Sequence, residues 1–427
     1  MAFSSSDLLQ FPELKSLLAS YAGSDAGREK MLALEPAGNR PQVEAALAQA
    51  AEAIAYLREA ASPQKAGRGA AIRLAFHQVR NIEHALRFLR VEGARLEGAD
   101  ILDVFHTLDL AGEYRSILLS CSDRYPRLGR LGQQLPDLGD TIRPYRRAFL
   151  PDGSLADDAS VTLARIRRDM ERQQKNIQSS LERFVRAHRG DGTLQEDFVT
   201  IRDDRYVVPV ISGQRGRVDG VIHGASGSGR TLFSEPLETI GLNNELVRLR
   251  EDEFREIERI LSEITQALSV HSDEIVAAYD ALAELDFIFA KASFAVDYNA
   301  VVPRFSDNLQ RRLILKEARH PLLESVLRKQ RKPIVPISFD LNEQRRCLLI
   351  SGPNTGGKTV TMKTAGLLVT MAHAGLPVSC AEAEFPFLAD VLADIGDAQS
   401  IAESLSSFSG HLLHIKQMLE TVTMDCL

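Results

Sequence analysis

The sequence predicts a mixed fold: a helical core with a coiled-coil stalk and a small β-rich tip, followed by an incomplete α/β domain. Three observations carry this. Two long segments, 161–188 and 242–268, place apolar residues in heptad-like seams. Between them lies a stretch of β-branched runs punctuated by glycine. Towards the C-terminal end, the run Gly352-Pro353-Asn354-Thr355-Gly356-Gly357-Lys358-Thr359 joins an apolar segment to a helical one. The expected order is a helical core over 1–160, an ascending stalk helix over 161–190, a tip over 191–236, a descending stalk helix and core over 237–300, and the α/β domain over 301–427.

The chain has 427 residues, 44% hydrophobic and 26% charged, a composition that excludes wholesale disorder. Acids outnumber bases by 58 to 51 for a net charge of −7. That excludes a histone-like polycation but not a local basic surface, because nucleic-acid binding follows where charge clusters. Aromatic residues make up 6% and Trp is absent, which argues against broad base-stacking platforms. Cys121, Cys347, Cys380 and Cys426 form no CxxC pair, so neither a disulfide framework nor a zinc site is expected. The N-terminus lacks the pattern of a signal peptide, and no apolar run approaches the roughly 18 residues of a bilayer span. A cytoplasmic protein with no membrane partner is expected.

In the core, Glu44 to Ala61 is rich in good helix formers. Asn81 to Val91 sets Ile82, Ala85, Leu86 and Leu89 at helical spacing. Pro41, Pro63, Pro126, Pro136 and Pro144 punctuate these helices, and none of them carries visible chemistry. In the ascending helix Leu163, Ile166, Met170, Ile177 and Phe184 form the seam, with Gln173 and Ser180 at its weak positions. In the descending one Leu242, Leu246, Leu249, Ile257, Ile260, Ile264 and Leu268 share a stripe. The tip holds the runs Thr200-Ile201 and Tyr206 to Ile211, and it carries Arg202, Arg205, Arg215, Arg217 and Arg230 against Asp203, Asp204 and Asp219. That surface is a candidate for contact with nucleic-acid phosphates; an ordinary solvated hairpin is the alternative. Gly224 to Gly229 precedes the strand-like Thr231-Leu232-Phe233, so it reads as a turn and not as a nucleotide fingerprint.

Arg346 to Ser351 reads as a short strand and Val360 to His373 as a helix, which sets GxxxxGK[ST] in the strand–loop–helix context its mechanism needs. Glycines let successive backbone N–H groups converge on a phosphate. Lys358 reaches the β- and γ-phosphates as a point charge, and the Thr359 hydroxyl is the Mg²⁺ ligand. The whole run Gly352 to Thr359 is therefore the nucleotide-binding candidate. No NKxD guanine-reading motif is present, which favours ATP over GTP.

This loop, with Arg319-His320-Pro321 before it and Ser406-Ser407-Phe408-Ser409 after it, resembles the MutS family of ABC-type DNA-repair ATPases. Ala393 to Asp397, Gln399 to Ile401, Ser404 to His411, Ile201 to Val210, Thr231 to Pro236 and Leu17 to Ser24 are similar to its second bacterial branch, the endonuclease type that suppresses recombination. The resemblance covers nearly the whole chain. It implies that stalk and tip are the lever and clamp of an ATP-dependent homodimer acting on branched or duplex DNA. It implies that Ser406 faces the γ-phosphate held by the opposite subunit, a plain helix cap being the alternative. It places Asn354 near that phosphate and Lys332 to Val335 near the adenine. His320 reads either as a site residue or as a structural one. No apolar run ending in Asp-Glu follows Ser406, so no catalytic base is assigned, and Asp390, Asp394 and Asp397 are not promoted to that role. The sequence reads as an N-terminal fragment truncated before the Walker B strand and the nuclease domain, expected to be inactive alone. The same resemblance allows an ATPase that splits stalled or collided ribosomes through rRNA and protein contacts; a weaker resemblance, a coiled stalk joined to an ABC head, is to SMC-like structural ATPases, whose stalks usually run far longer.

Overall fold

A computed structural model describes residues 3, 5–61, 71–307, 311–353, 357–395, 412, 415, 416, 418–423 and 425–427. In chain order the elements are helices α1 (Phe11–Ala19), α2 (Asp25–Leu32), α3 (Arg40–Ala60), α4 (Glu83–Leu89), α5 (Gly98–Ser120), α6 (Pro126–Gln134), α7 (Gly139–Ile142) and α8 (Val161–Ala187). Strands β1 (Thr200–Arg202), β2 (Arg205–Ile211), β3 (Gly220–Ala225) and β4 (Thr231–Pro236) follow, then α9 (Leu237–Ser269) and α10 (Ser272–Asp297). The remainder is β5 (Arg304–Phe305), β6 (Leu313–Ala318), α11 (Pro321–Lys329), β7 (Ile337–Leu341), α12 (Lys358–His373) and β8 (Glu382–Phe385). The chain forms two compact units, one of Met1–Ile82, His106–Gly139 and Asp273–Leu427, the other of Glu83–Phe105 and Asp140–Ser272.

In the first unit α10 is buried along most of its length, from Ile275 to Ala295. Phe289 packs edge-on against Tyr56 of α3, whose ring also meets Tyr125. Asp286 of α10 is 1% exposed and accepts hydrogen bonds from the backbone N–H of Gly23 and of Ser24 at 3.0 and 2.7 Å, and from the Ser24 hydroxyl at 2.5 Å. Ser24 in turn caps α2 by accepting from the Gly27 N–H. Burial raises the Asp286 pKa against these bonds, which lower it. The sheet of this unit has the order β5-β8-β6-β7, with β5 parallel to β8 and the other pairs antiparallel. Leu367 to Ala372 of α12 are buried in the same unit.

The apolar run Arg346 to Ser351 departs from the expected strand. It has no strand assignment, and Leu348 is 44% and Leu349 89% exposed. A strand exists only where a neighbouring edge accepts its ladder bonds, and no described residue pairs with this run. Residues 425–427 do find such an edge. Leu427 N–H donates to Asp390 O and Leu392 N–H to Leu427 O, in a parallel bridge between Asp390 and Cys426.

In the second unit α8 starts at Ser160, whose hydroxyl accepts from the Leu163 N–H at 3.0 Å, and it packs along α9. Leu163, Ile166 and Ile177 of the expected seam are buried, and Met170 and Phe184 are half-buried. Beyond Ile177 the buried set widens to Ser180, Leu181 and Val185. There α8 covers the sheet as well as α9: Ile177, Leu181 and Val185 share one apolar cluster with Val208, Val210, Val218 and Leu246. The sheet is antiparallel with the order β1-β2-β4-β3. Asp203 and Asp204, with φ of 46° and 63°, form the two-residue turn between β1 and β2. The β3–β4 connection runs from Ser226 to Arg230; Gly224 and Ala225 of the expected turn are the last residues of β3.

Candidate functional site

The phosphate-loop candidate ends in a glycine that the backbone requires. Gly357 sits at φ 82°, ψ 14° as the N-cap of α12, and Gly352 at φ 149°. Both conformations are costly for any side chain with a Cβ. A Cβ at either position would meet nothing within 4 Å, so the requirement is conformational and leaves the backbone uncovered. Lys358, the first helical residue, donates from Nζ to the Gly352 carbonyl at 2.6 Å, which ties the start of the helix to the start of the run. Thr359 stands exposed beside it on the first turn. Pro353 is exposed. Asn354, Thr355 and Gly356 lie outside the described residues, as does Ser406.

His320 proves to be a helix cap. It precedes Pro321 at the start of α11 and its Nδ1 accepts from the Leu323 N–H. Burial, with Lys363 of α12 adding to it, pushes its pKa down to about 4. His373 is also fixed as neutral. Its Nδ1–H faces the Val369 carbonyl at 3.0 Å, its Nε2 accepts from the Leu388 N–H at 2.9 Å, and the rings of Phe3, Phe305 and Phe387 surround it. Burial holds its pKa near 4 as well.

Both histidines have folded pKa values near 4 against an ordinary 6.5, so between those values the unfolded chain binds more protons. Their contribution to stability is therefore complete above pH 6.5 and is lost as the pH falls towards 4, by about 3 kcal/mol for each. Urea midpoints of the first unit are expected to fall across this window, with a shallower pH slope in His373→Leu. An unchanged slope in that variant would remove His373 from the account. Lys332 to Val335 form an irregular segment with Val335 83% exposed.

The tip arginines divide into two groups. Arg205 lies at one end of β2, where its guanidinium donates to both oxygens of Glu235 at 3.0 and 3.1 Å and to Asn244 of α9 at 2.6 Å. Glu235 is 1% exposed and also accepts from His223 at 2.7 Å and from Asn243 at 2.8 Å. Asn243 closes the network by bonding the N–H and carbonyl of Tyr206. Arg205 is thus a structural cation. Arg202, opposite it in the β1–β2 register, stands over the Phe233 ring at 4.4 Å. Arg215, Arg217 and Arg230 collect at the other end, about 20 Å along β2. Arg215 and Arg217 sit on the short helical segment Ser212–Arg217, and the Arg230 carbonyl accepts from the Ser212 N–H. All of these last arginines are exposed, and Arg217 also reaches the Asp191 carbonyl. Two of the tip's acids do not offset them, because Asp203 and Asp204 form the opposite turn, where Asp204 pairs with Arg250 at 3.0 Å. The Glu235 network escapes a reading of the sequence because it draws on three strands and a helix. The local signal is one acid inside the apolar strand Thr231–Pro236.

Comparison with known proteins agrees with the resemblance read from the phosphate loop. A family model described as MutS domain V matches residues 348–427. The Endonuclease MutS2 of Pelotomaculum thermopropionicum is 37% identical over 420 residues, covering 98% of this chain and 51% of that protein. Those of Geobacillus sp. and Thermomicrobium roseum are 34% and 36% identical, over 98% and 97% of this chain and 52% and 51% of theirs. The chain spans about half the length of these curated relatives. No described helix is long and apolar enough to cross a membrane. Similarity over almost its full length, with the phosphate loop inside the matched segment, shows that the chain belongs to the MutS2 branch of the MutS family.

Proposed function

We propose that this chain is the ATP-binding and DNA-contacting part of a MutS-type machine that acts on branched or recombining DNA. The observation that carries the reading is the left-handed Gly357 capping α12, with Lys358 folded back on Gly352. The residues present fit a triphosphate. Two positive-φ glycines leave the backbone open, the amino end of a sixteen-residue helix faces the loop, and an ammonium and a hydroxyl follow in sequence. Lys358 would hold phosphate oxygens and Thr359 a Mg²⁺ ion. Bound Mg–ATP supplies the charge that two chains share when they close as a homodimer, with Ser406 as the candidate contact from the opposite chain. In this reading α8 and α9 form a coiled-coil stalk, and the sheet between them is the clamp that touches DNA. The endonuclease activity named for the relatives is assigned to the part of their length that this chain does not match.

The clamp reading is tested by the salt dependence of duplex binding. Replacing Arg215, Arg217 and Arg230 together with Ala is expected to weaken binding and reduce the slope of log K against log salt by roughly 0.9 for each phosphate no longer neutralised. An unchanged slope in anisotropy titrations would move the DNA surface away from this end of the sheet.

A further inference from the structure

The face of α8 turned away from its apolar seam carries a cationic row. Arg165, Arg168, Arg172, Lys175, Arg183 and Arg186 are all exposed, and at 100° per residue they fall within about 80° of arc over about 30 Å of helix. No acid of α8 enters that arc. Asp169 and Glu171 flank it and pair with Arg172 and Lys175. Exposed Asn176 and Ser179 fill the gap before Arg183. Arg165, Arg183 and Arg186 have no acidic partner among the described residues. Six cations in line, only two of them paired with an acid of the same helix, repel one another, an arrangement that a polyanion relieves.

At its carboxyl end the row enters a groove. Arg186 lines a cavity of about 510 Å³ together with Gln178, Glu182, Arg189, Phe198 and Tyr206. This volume lies within the roughly 300–1,000 Å³ range of small-ligand sites. Phe198 is 46% exposed, and Arg189 beside it is steadied by Asp197 at 2.8 Å. An exposed ring in a groove that Arg186 and Arg189 also line, at the end of a cationic row, is the composition that stacks a base while its phosphates are neutralised. A paired duplex keeps its bases stacked inside and cannot offer one to Phe198. The low aromatic content excludes a broad platform, but one ring suffices for one base.

We propose that the outer face of α8 and the Phe198 groove form a track for a single-stranded polynucleotide, with its phosphodiesters along Arg165 to Arg186 and one base on Phe198. The track is built from residues other than Arg215, Arg217 and Arg230, so its variants test it independently of the clamp reading.

The test is anisotropy of the full chain with labelled oligothymidylate, oligouridylate and a duplex across a salt series. All the residues to be changed are exposed, so the variants are expected to fold, and melting curves check that. Combined Arg165→Ala, Arg183→Ala and Arg186→Ala is expected to weaken single-strand binding about tenfold or more and to lower the salt slope by up to about 2, at roughly 0.7 per phosphate. Phe198→Ala is expected to weaken it about tenfold with the slope kept, and Phe198→Trp to retain binding. Weakening confined to oligothymidylate identifies DNA as the ligand, and weakening confined to oligouridylate identifies RNA. Weakening on both identifies recognition through phosphate and base alone. Unchanged affinity and slope on both oligomers overturn the proposal, and equal weakening on the duplex overturns the single-strand assignment.

Discussion

Lys358→Ala is expected to weaken Mg–ATP binding by about 100-fold or more, read by titration with a fluorescent ATP analogue. The ammonium is the first side chain of α12 and reaches across the loop to Gly352. Charge-assisted hydrogen bonds to phosphate are about twice as strong as neutral ones, and losing about 3 kcal/mol corresponds to about two decades in Kd. Lys358→Arg tests geometry rather than charge, because a planar fork does not replace a compact ammonium at a fixed reach. It is expected to recover only part of the affinity. Gly357→Ala gives an independent reading. At φ 82° an alanine costs about 1–2 kcal/mol in the left-handed region and places a methyl group on the open backbone. If binding drives two chains together, Lys358→Ala also abolishes the ATP-dependent shift in sedimentation. Undiminished binding in Lys358→Ala would show that the nucleotide sits elsewhere.

The features legible in the sequence were those with a local cause. Seams in α8 and α9 follow from spacing, the sheet between them from β-branched runs and glycine, and the α12 amino end from one motif. What required coordinates was the pairing of residues far apart in sequence. Arg346 to Ser351 has the composition of a buried strand, but composition does not say whether an edge exists to pair with it. Leu181 and Val185 fall off a strict heptad because α8 covers a sheet there, and only the fold states that. The joining of 83–105 to 140–272 in one unit has no linear signal. Charge was the least legible. Arg205 and Arg215 look alike as exposed basic residues of a tip, yet one is held by a buried carboxylate and the other faces solvent.

That contrast sets the last expectation. Arg205→Ala should behave as a folding defect of the second unit, with no change in salt slope. Its removal leaves Glu235, 1% exposed, without its main cation. Breaking a buried pair from one side costs about 3–5 kcal/mol. The His223 and Asn243 bonds to Glu235 remain, which places the expected cost at the lower end of that range. Glu235→Ala is expected to cost at least as much, because it strands Arg205, His223 and Asn243 together, and Asn243 holds the start of β2 through both backbone groups of Tyr206. Glu235→Gln keeps the shape and part of the bonding, so it should fall between the two. Urea unfolding of each variant measures this, alongside the salt slope of duplex binding measured below the unfolding transition. If Arg205→Ala leaves the midpoint in place and instead flattens the slope, Arg205 contacts phosphate directly and its bond to Glu235 yields when nucleic acid binds. A lowered midpoint with the slope intact assigns Arg205 to the scaffold that holds the sheet on α9, and leaves phosphate recognition at the tip to the far end of β2.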